Sequence, residues 1–202
     1  LPDDVYIDIG GSYEDQQESF GDIGTLFVLI ILLVYIVMAT QFESFIMPFI
    51  IMFTVLYALP GVAIALYITN TPLSLIALIA AVMLVGIVVK NGIVMIDYTN
   101  LLRERGYSMH DAVVAAGKSR LRPVLMTSLT TILGILPLAL KLGTGSEMWQ
   151  PMGIAVIGGL LFSTVLTLLA VPALYSIFIG ARDRRAERKA LKAHTPEQQL
   201  NS

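Results

Sequence analysis

Apolar residues in this chain run in long blocks separated by short polar ones. They show neither the strict alternation of a half-buried strand nor the one-sided stripe of a surface helix. The blocks cover about residues 24–40, 45–68, 73–97, 123–140 and 153–179. Each is near the length at which an α-helix crosses a ~30 Å hydrocarbon core, about 20 residues. Five membrane-crossing helices are therefore predicted. A helix bundle in water would instead need a charged face on each helix, and none of these blocks has such a face.

The polar segments predict the remaining organisation. Val5, Ile7 and Ile9 alternate with Tyr6 and Asp8, the period-two pattern of a short strand, which Gly10 and Gly11 end. Ser12 and Asp15 resemble a capping box opening a short polar helix into the first span. Residues 1–22 thus read as the end of an extramembrane strand-and-helix region. The chain opens on Leu1 and Pro2 with no signal-peptide pattern, and is expected to continue something longer. Gln41 to Ser44 and Thr69 to Pro72 form short turns. Ser108 with Asp111 predicts a capped helix over about residues 108–117, either lying under the inner leaflet or acting as a plain connector. Gly143 to Glu147 reads as a flexible outer loop, with Glu147 solvated and Trp149 an interfacial anchor. Ala155, Gly158 and Gly159 permit close helix contact. Residues 181–202 are polar and basic and are expected to form a disordered tail near anionic lipid.

Composition supports the membrane reading. Hydrophobic residues make up 56% and charged ones only 14%, with a mean hydropathy of +0.78, against about 25% charged in an ordinary soluble domain. Cysteine is absent, which excludes disulfide and thiol chemistry. The distribution of positive charge sets an orientation. Arg103, Arg105, Lys118, Arg120 and Arg122 lie between the third and fourth spans, and Arg182, Arg184, Arg185, Arg188, Lys189 and Lys192 follow the fifth. Basic segments mark the cytoplasmic side. Residues 1–22 hold seven acids and no Lys or Arg. The N-terminal end is expected outside, the C-terminal tail inside.

One residue inside a span carries charge without obvious compensation. Lys90 sits in the run from Val85 to Ile96. A cation there costs at least about 2.5 kcal/mol on insertion scales, so it usually faces a partner or a wet cavity. Snorkelling would need its ~6 Å stem to span the ~20 Å to Arg103. Asp97 falls on nearly the same helical face seven residues on. It reads either as part of an inner polar path or as a headgroup-boundary acid, and ~10 Å separates it from Lys90. The carboxylate that Lys90 requires is therefore not visible among these residues. Thr127, Ser128, Thr130 and Thr131 make the start of the fourth span rich in hydroxyls, which either relay protons or bond back to their own helix carbonyls. Gly117-Lys118-Ser119 mimics the end of a phosphate-binding loop, but Ala112 stands where a glycine is required. His110 and His194 lack companions at metal-ligand spacing, and there are no paired carboxylates, HExxH pattern or nucleophile elbow. Neither a metal site, a nucleic-acid role nor an enzymatic activity is expected.

Four stretches in order, "LVYIVMATQFESFIMPFIIMFT", "VGIVVKNGIVMIDYTNLLRERG", "RLRPVLMTSLTTILGILPLAL" and "GIAVIGGLLFSTVLTLLAVPALY", with "SYEDQQESFGD" before them, resemble the C-terminal end of resistance–nodulation–division (RND) efflux permeases of the hydrophobe/amphiphile multidrug class. The resemblance implies an all-α polytopic membrane protein whose five helices are the last of twelve, in the inner membrane, with residues 1–22 ending a periplasmic porter region. It implies drug/proton antiport by a homotrimer, with no cofactor beyond the coupling proton, and a periplasmic adaptor and outer-membrane channel where the cell has an outer membrane. It assigns the proton relay to Lys90, Asn91, Thr127 and Arg120, serving an acidic pair on a helix of the N-terminal half. The alternatives are an RND exporter of metal ions or lipids, and a non-transporting membrane scaffold, which has no use for a mid-membrane cation.

Overall fold

A computed structural model describes the backbone of residues 11–194 and the side chains of residues 17–180. The described chain is all helical: α1 (Gly11–Phe42), α2 (Ile46–Ile68), α3 (Leu75–Glu104), α4 (Met109–Ala139) and α5 (Ser146–His194). All five are long and apolar enough to cross a membrane. In hydrocarbon a backbone must satisfy its own polar groups, and a helix does so within one segment. The strand predicted over residues 5–9 and the Ser12–Asp15 cap lie outside the described residues and side chains.

Helix limits in α3, α4 and α5 differ from the sequence expectation, and α5 already starts at Ser146, inside the loop expected from Gly143 to Glu147. The helix expected over residues 108–117 and the span expected from 123 are one continuous α4, with Pro123 in its interior. Pro123 removes one backbone donor, but Ala112, Ala116, Val124 and Ser128 are buried at multiples of four residues on either side of it. That row packs as a single ridge, and packing holds the helix through the proline. α3 does not stop near Asp97 but continues to Glu104. Polar side chains there lower the hydropathy without ending the helix, which terminates where Gly106 takes φ +87°. Residues 181–194, expected to be disordered, continue α5. They contain no Gly or Pro and are dominated by Ala, Arg, Lys and Glu, which are strong helix formers.

α5 is the hub, packing against α2, α3 and α4, while among the described residues α1 rests only on α2 and α3. Toward the end of the bundle holding the α2–α3 turn, Ala58, Val62, Ala80, Leu84, Ala155 and Leu160 form one core. Toward the other end, Ile51, Val55, Val89, Ile96, Val171 and Tyr175 form a second. The α2–α5 crossing is close because it is made of glycine. A Cβ at Gly61 would lie 2.8 Å from the Gly158 carbonyl oxygen, and one at Gly158 equally close to that of Gly61. The predicted small-residue contact is thus the seam between these helices. The exterior is apolar, with Leu29, Leu32, Val37, Leu129, Leu133 and Leu169 all exposed.

Candidate functional site

α3 and α4 run antiparallel, and their register brings the chemistry-bearing residues level with one another. Ser74 starts α3, its hydroxyl accepting from the Ala77 amide at 3.3 Å. Lys90 then falls midway along the helix, about 20 Å from either end at 1.5 Å per residue. On α4 the Ser108 hydroxyl accepts from the Asp111 amide at 3.2 Å, and Thr127 comes level with Lys90. Between them lies a cavity of about 150 Å³ lined by Ile87, Lys90, Asn91, Thr127, Ser128 and Thr131. Three of the four predicted relay residues, Lys90, Asn91 and Thr127, therefore share one polar pocket.

The pocket has a closed wall and an open one. Asn91 and Ser128 are buried in the bundle, whereas Lys90 and Thr127 are exposed. The exposed residues Ile79, Met83, Gly86, Lys90, Asp97, Leu101 and Glu104 recur at helical spacing, so α3 presents an open face with Lys90 near its centre. Asp97 is on that face, two turns inward. The lining around Lys90 contains no carboxylate.

The hydroxyls divide into two kinds. Thr127 donates to its own helix at the Val124 carbonyl, 2.9 Å, with the Pro123 carbonyl at 3.1 Å. Thr130 and Thr131 donate to the Met126 and Thr127 carbonyls, each at 2.8 Å. This is the back-bonding alternative weighed from the sequence. Ser128 is different: its hydroxyl meets that of Thr164 on α5 at 2.9 Å in a buried contact. Nothing in the sequence pattern singles out Thr164; only the antiparallel packing of α4 and α5 pairs it with Ser128.

Arg120, the fourth predicted residue, does not reach the pocket. Its guanidinium carbon lies 4.3 Å from the centre of the Tyr98 ring, inward of Lys90. The register carries the signal: Tyr98 is about as far below Lys90 on α3 as Arg120 is below Thr127 on α4. His110 is exposed at the start of α4, and His194 lies outside the described side chains. Among the described residues no group of three His, Cys, Asp or Glu could hold a metal ion. Gly117-Lys118-Ser119 is helical, so its amides serve α4 and cannot cradle a phosphate.

A family model described as the AcrB/AcrD/AcrF family matches residues 1–179. The chain is 40% identical over 185 residues to the swarming motility protein SwrC of Bacillus subtilis (strain 168), covering 91% of this chain and 18% of that protein. It is 40% identical over 190 residues to the multidrug resistance protein MdtC of Proteus mirabilis (strain HI4320), covering 94% and 18%. Among solved structures it resembles a heavy metal efflux pump in two crystal forms. One has a TM-score of 0.76 at 30% identity over 88% of this chain, the other 0.71 at 32% over 85%. The chain spans 17–18% of the length of each of these proteins.

Proposed function

The chain belongs to the AcrB/AcrD/AcrF family of RND efflux permeases, and from that premise we propose that its helices form part of a proton-driven transporter exporting hydrophobic or amphiphilic compounds. The observation that carries the reading is Lys90. It lies mid-helix on an open face, with Asn91 and Thr127 lining its pocket and no carboxylate among them. A cation placed there needs anions, and in this reading acids from helices beyond these five dock against that face.

The chemistry follows from charge. The Lys90 ammonium stabilises ionised carboxylates beside it, because an opposite charge favours the charged form. Taking up a proton from the outer side neutralises an acid and removes the attraction. The ammonium then turns toward the Asn91 amide and the Ser128 and Thr127 hydroxyls. The two arrangements pack α3 and α4 differently, and a two-state packing is what a proton gradient can bias to drive export. Lys90, Asn91, Thr127 and Arg120 carry the relay. The working unit is a homotrimer in the inner membrane, with the α2–α3 turn outside, the α3–α4 loop and the C-terminal tail in the cytoplasm. A periplasmic adaptor and outer-membrane channel complete it where an outer membrane exists.

The test is Lys90→Ala in the full-length permease. Efflux of a cationic amphiphilic dye should be lost while the amount of protein in the membrane and its trimeric state stay unchanged. Wild-type efflux from that variant removes Lys90 from coupling. The cargo has a second reading, since two solved structures that the chain resembles are of a heavy metal efflux pump. Dye and divalent-metal efflux measured side by side distinguish the two.

A further inference from the structure

Arg120 is placed in the relay by resemblance, yet it stands apart from the Lys90 pocket and is held by a residue that nothing so far gives a role. Eight residues along α3 separate Tyr98 from Lys90, about 12 Å, and seven along α4 separate Arg120 from Thr127, about 10 Å. The two helices run in opposite directions, so both pairs occupy the same interhelical groove at successive levels. At the inner level the Arg120 guanidinium carbon sits 4.3 Å from the Tyr98 ring centre, well within cation–π range.

Two further observations make this more than a surface contact. The Tyr98 ring is packed against the cluster of Leu102, Ala112 and Ala116, so both helices fix its position. The alanines precede Arg120 at four-residue intervals on α4, and the guanidinium continues their row. The Arg120 Nε, meanwhile, is buried with no hydrogen-bond partner. That desolvated Nε, in a residue otherwise only partly buried, has the aromatic face as its compensating contact. Stacking occupies the flat face of the group and leaves its terminal in-plane N–H donors available to an acceptor.

We propose that Tyr98 is a positioning residue for Arg120, holding the guanidinium at the inner level of the α3–α4 groove so that its terminal donors meet the acids that the relay serves. The proposal rests on the proton-coupling reading above. Tyr98 touches neither proton nor cargo; it acts through Arg120. An aromatic ring is required at residue 98, and the phenol hydroxyl is not.

The experiment compares maximal efflux rate per amount of membrane-inserted protein in the full-length permease for Tyr98→Phe, Tyr98→Leu, Arg120→Ala and the double variant Tyr98→Leu/Arg120→Ala, with Lys90→Ala alongside. Tyr98→Phe keeps the stack and should transport as the parent does. Tyr98→Leu keeps apolar bulk without the ring's charge distribution, and should lose roughly threefold to tenfold, the equivalent of a partly desolvated cation–π contact. In the Arg120→Ala background the same change should cost nothing more, because a residue acting only through Arg120 has nothing left to act on. Parent-like efflux from Tyr98→Leu overturns the proposal, as does equal damage from Tyr98→Phe or an undiminished loss in the Arg120→Ala background. If Lys90→Ala abolishes efflux in those cases, the coupling reading stands without Tyr98. If Lys90→Ala transports normally, the coupling reading falls and the proposal falls with it.

Discussion

The hydroxyls of Ser128 and Thr164 meet at 2.9 Å in the buried seam between α4 and α5, and Ser128 is at the same time part of the lining of the Lys90 cavity. One side chain thereby touches both the polar pocket and the hub helix. Removing one hydroxyl strands the other in an apolar seam, whereas removing both leaves nothing unsatisfied.

That asymmetry is measurable. Ser128→Ala and Thr164→Val should each destabilise the detergent-solubilised permease by about 1–3 kcal/mol, because each leaves a buried hydroxyl without its partner. The double variant should recover most of the loss. Thermal unfolding of the three proteins checks this, and additive losses would show that the contact contributes nothing as a pair.

A glycine at the α2–α5 crossing should be far less replaceable than one facing outward. A Cβ at Gly158 would press on Ala65 and come within 2.8 Å of the Gly61 carbonyl oxygen, backbone that cannot give way. Gly158→Val is expected to cost about 3 kcal/mol or more through overpacking and to lower the yield of folded protein. Gly24→Ala, where nothing lies within 4 Å, should leave the melting temperature within a few degrees of the parent. Equal tolerance at both positions would contradict the close crossing.

Asp97 shares the open face of α3 with Lys90 but lies about two turns away, ~10 Å along the axis. Asp97→Asn should therefore retain at least about half of the parent efflux rate, in contrast to the complete loss expected for Lys90→Ala. Equal loss in both variants would make Asp97 part of the inward polar path, the alternative the sequence leaves open.

The orientation is testable because the chain contains no cysteine. Asn70, exposed in the α2–α3 turn, and Tyr107, exposed in the α3–α4 loop, should lie on opposite sides of the membrane. In a cysteine-free permease, Asn70→Cys should react with a membrane-impermeant maleimide applied from the outer side, and Tyr107→Cys only after the membrane is permeabilised. The reverse pattern would invert the topology drawn from the basic residues.

The five spans were legible from the sequence alone because hydrocarbon removes alternatives: a long apolar run that must satisfy its own backbone becomes a helix. Lys90 was legible for a related reason, a charge being conspicuous where every neighbour from residue 85 to residue 94, Asn91 apart, is Val, Ile or Gly. Helix limits at α3, α4 and α5 were less so. Hydropathy reports where the membrane ends, while the helix ends where propensity, caps and packing end it; the Ala112–Ser128 row carries α4 through Pro123 for that reason. The pairings of Arg120 with Tyr98 and of Ser128 with Thr164 were not legible. They depend on the vertical register of neighbouring helices, and hydropathy is nearly blind to a shift of one turn between two apolar helices. The sequence by itself determined the number of membrane spans and the place of the stranded cation, since both follow from transfer free energies summed along one segment. Only the tertiary structure decided which side chains that cation and Arg120 meet, since such contacts arise from side-chain interlocking between helices far apart in the chain.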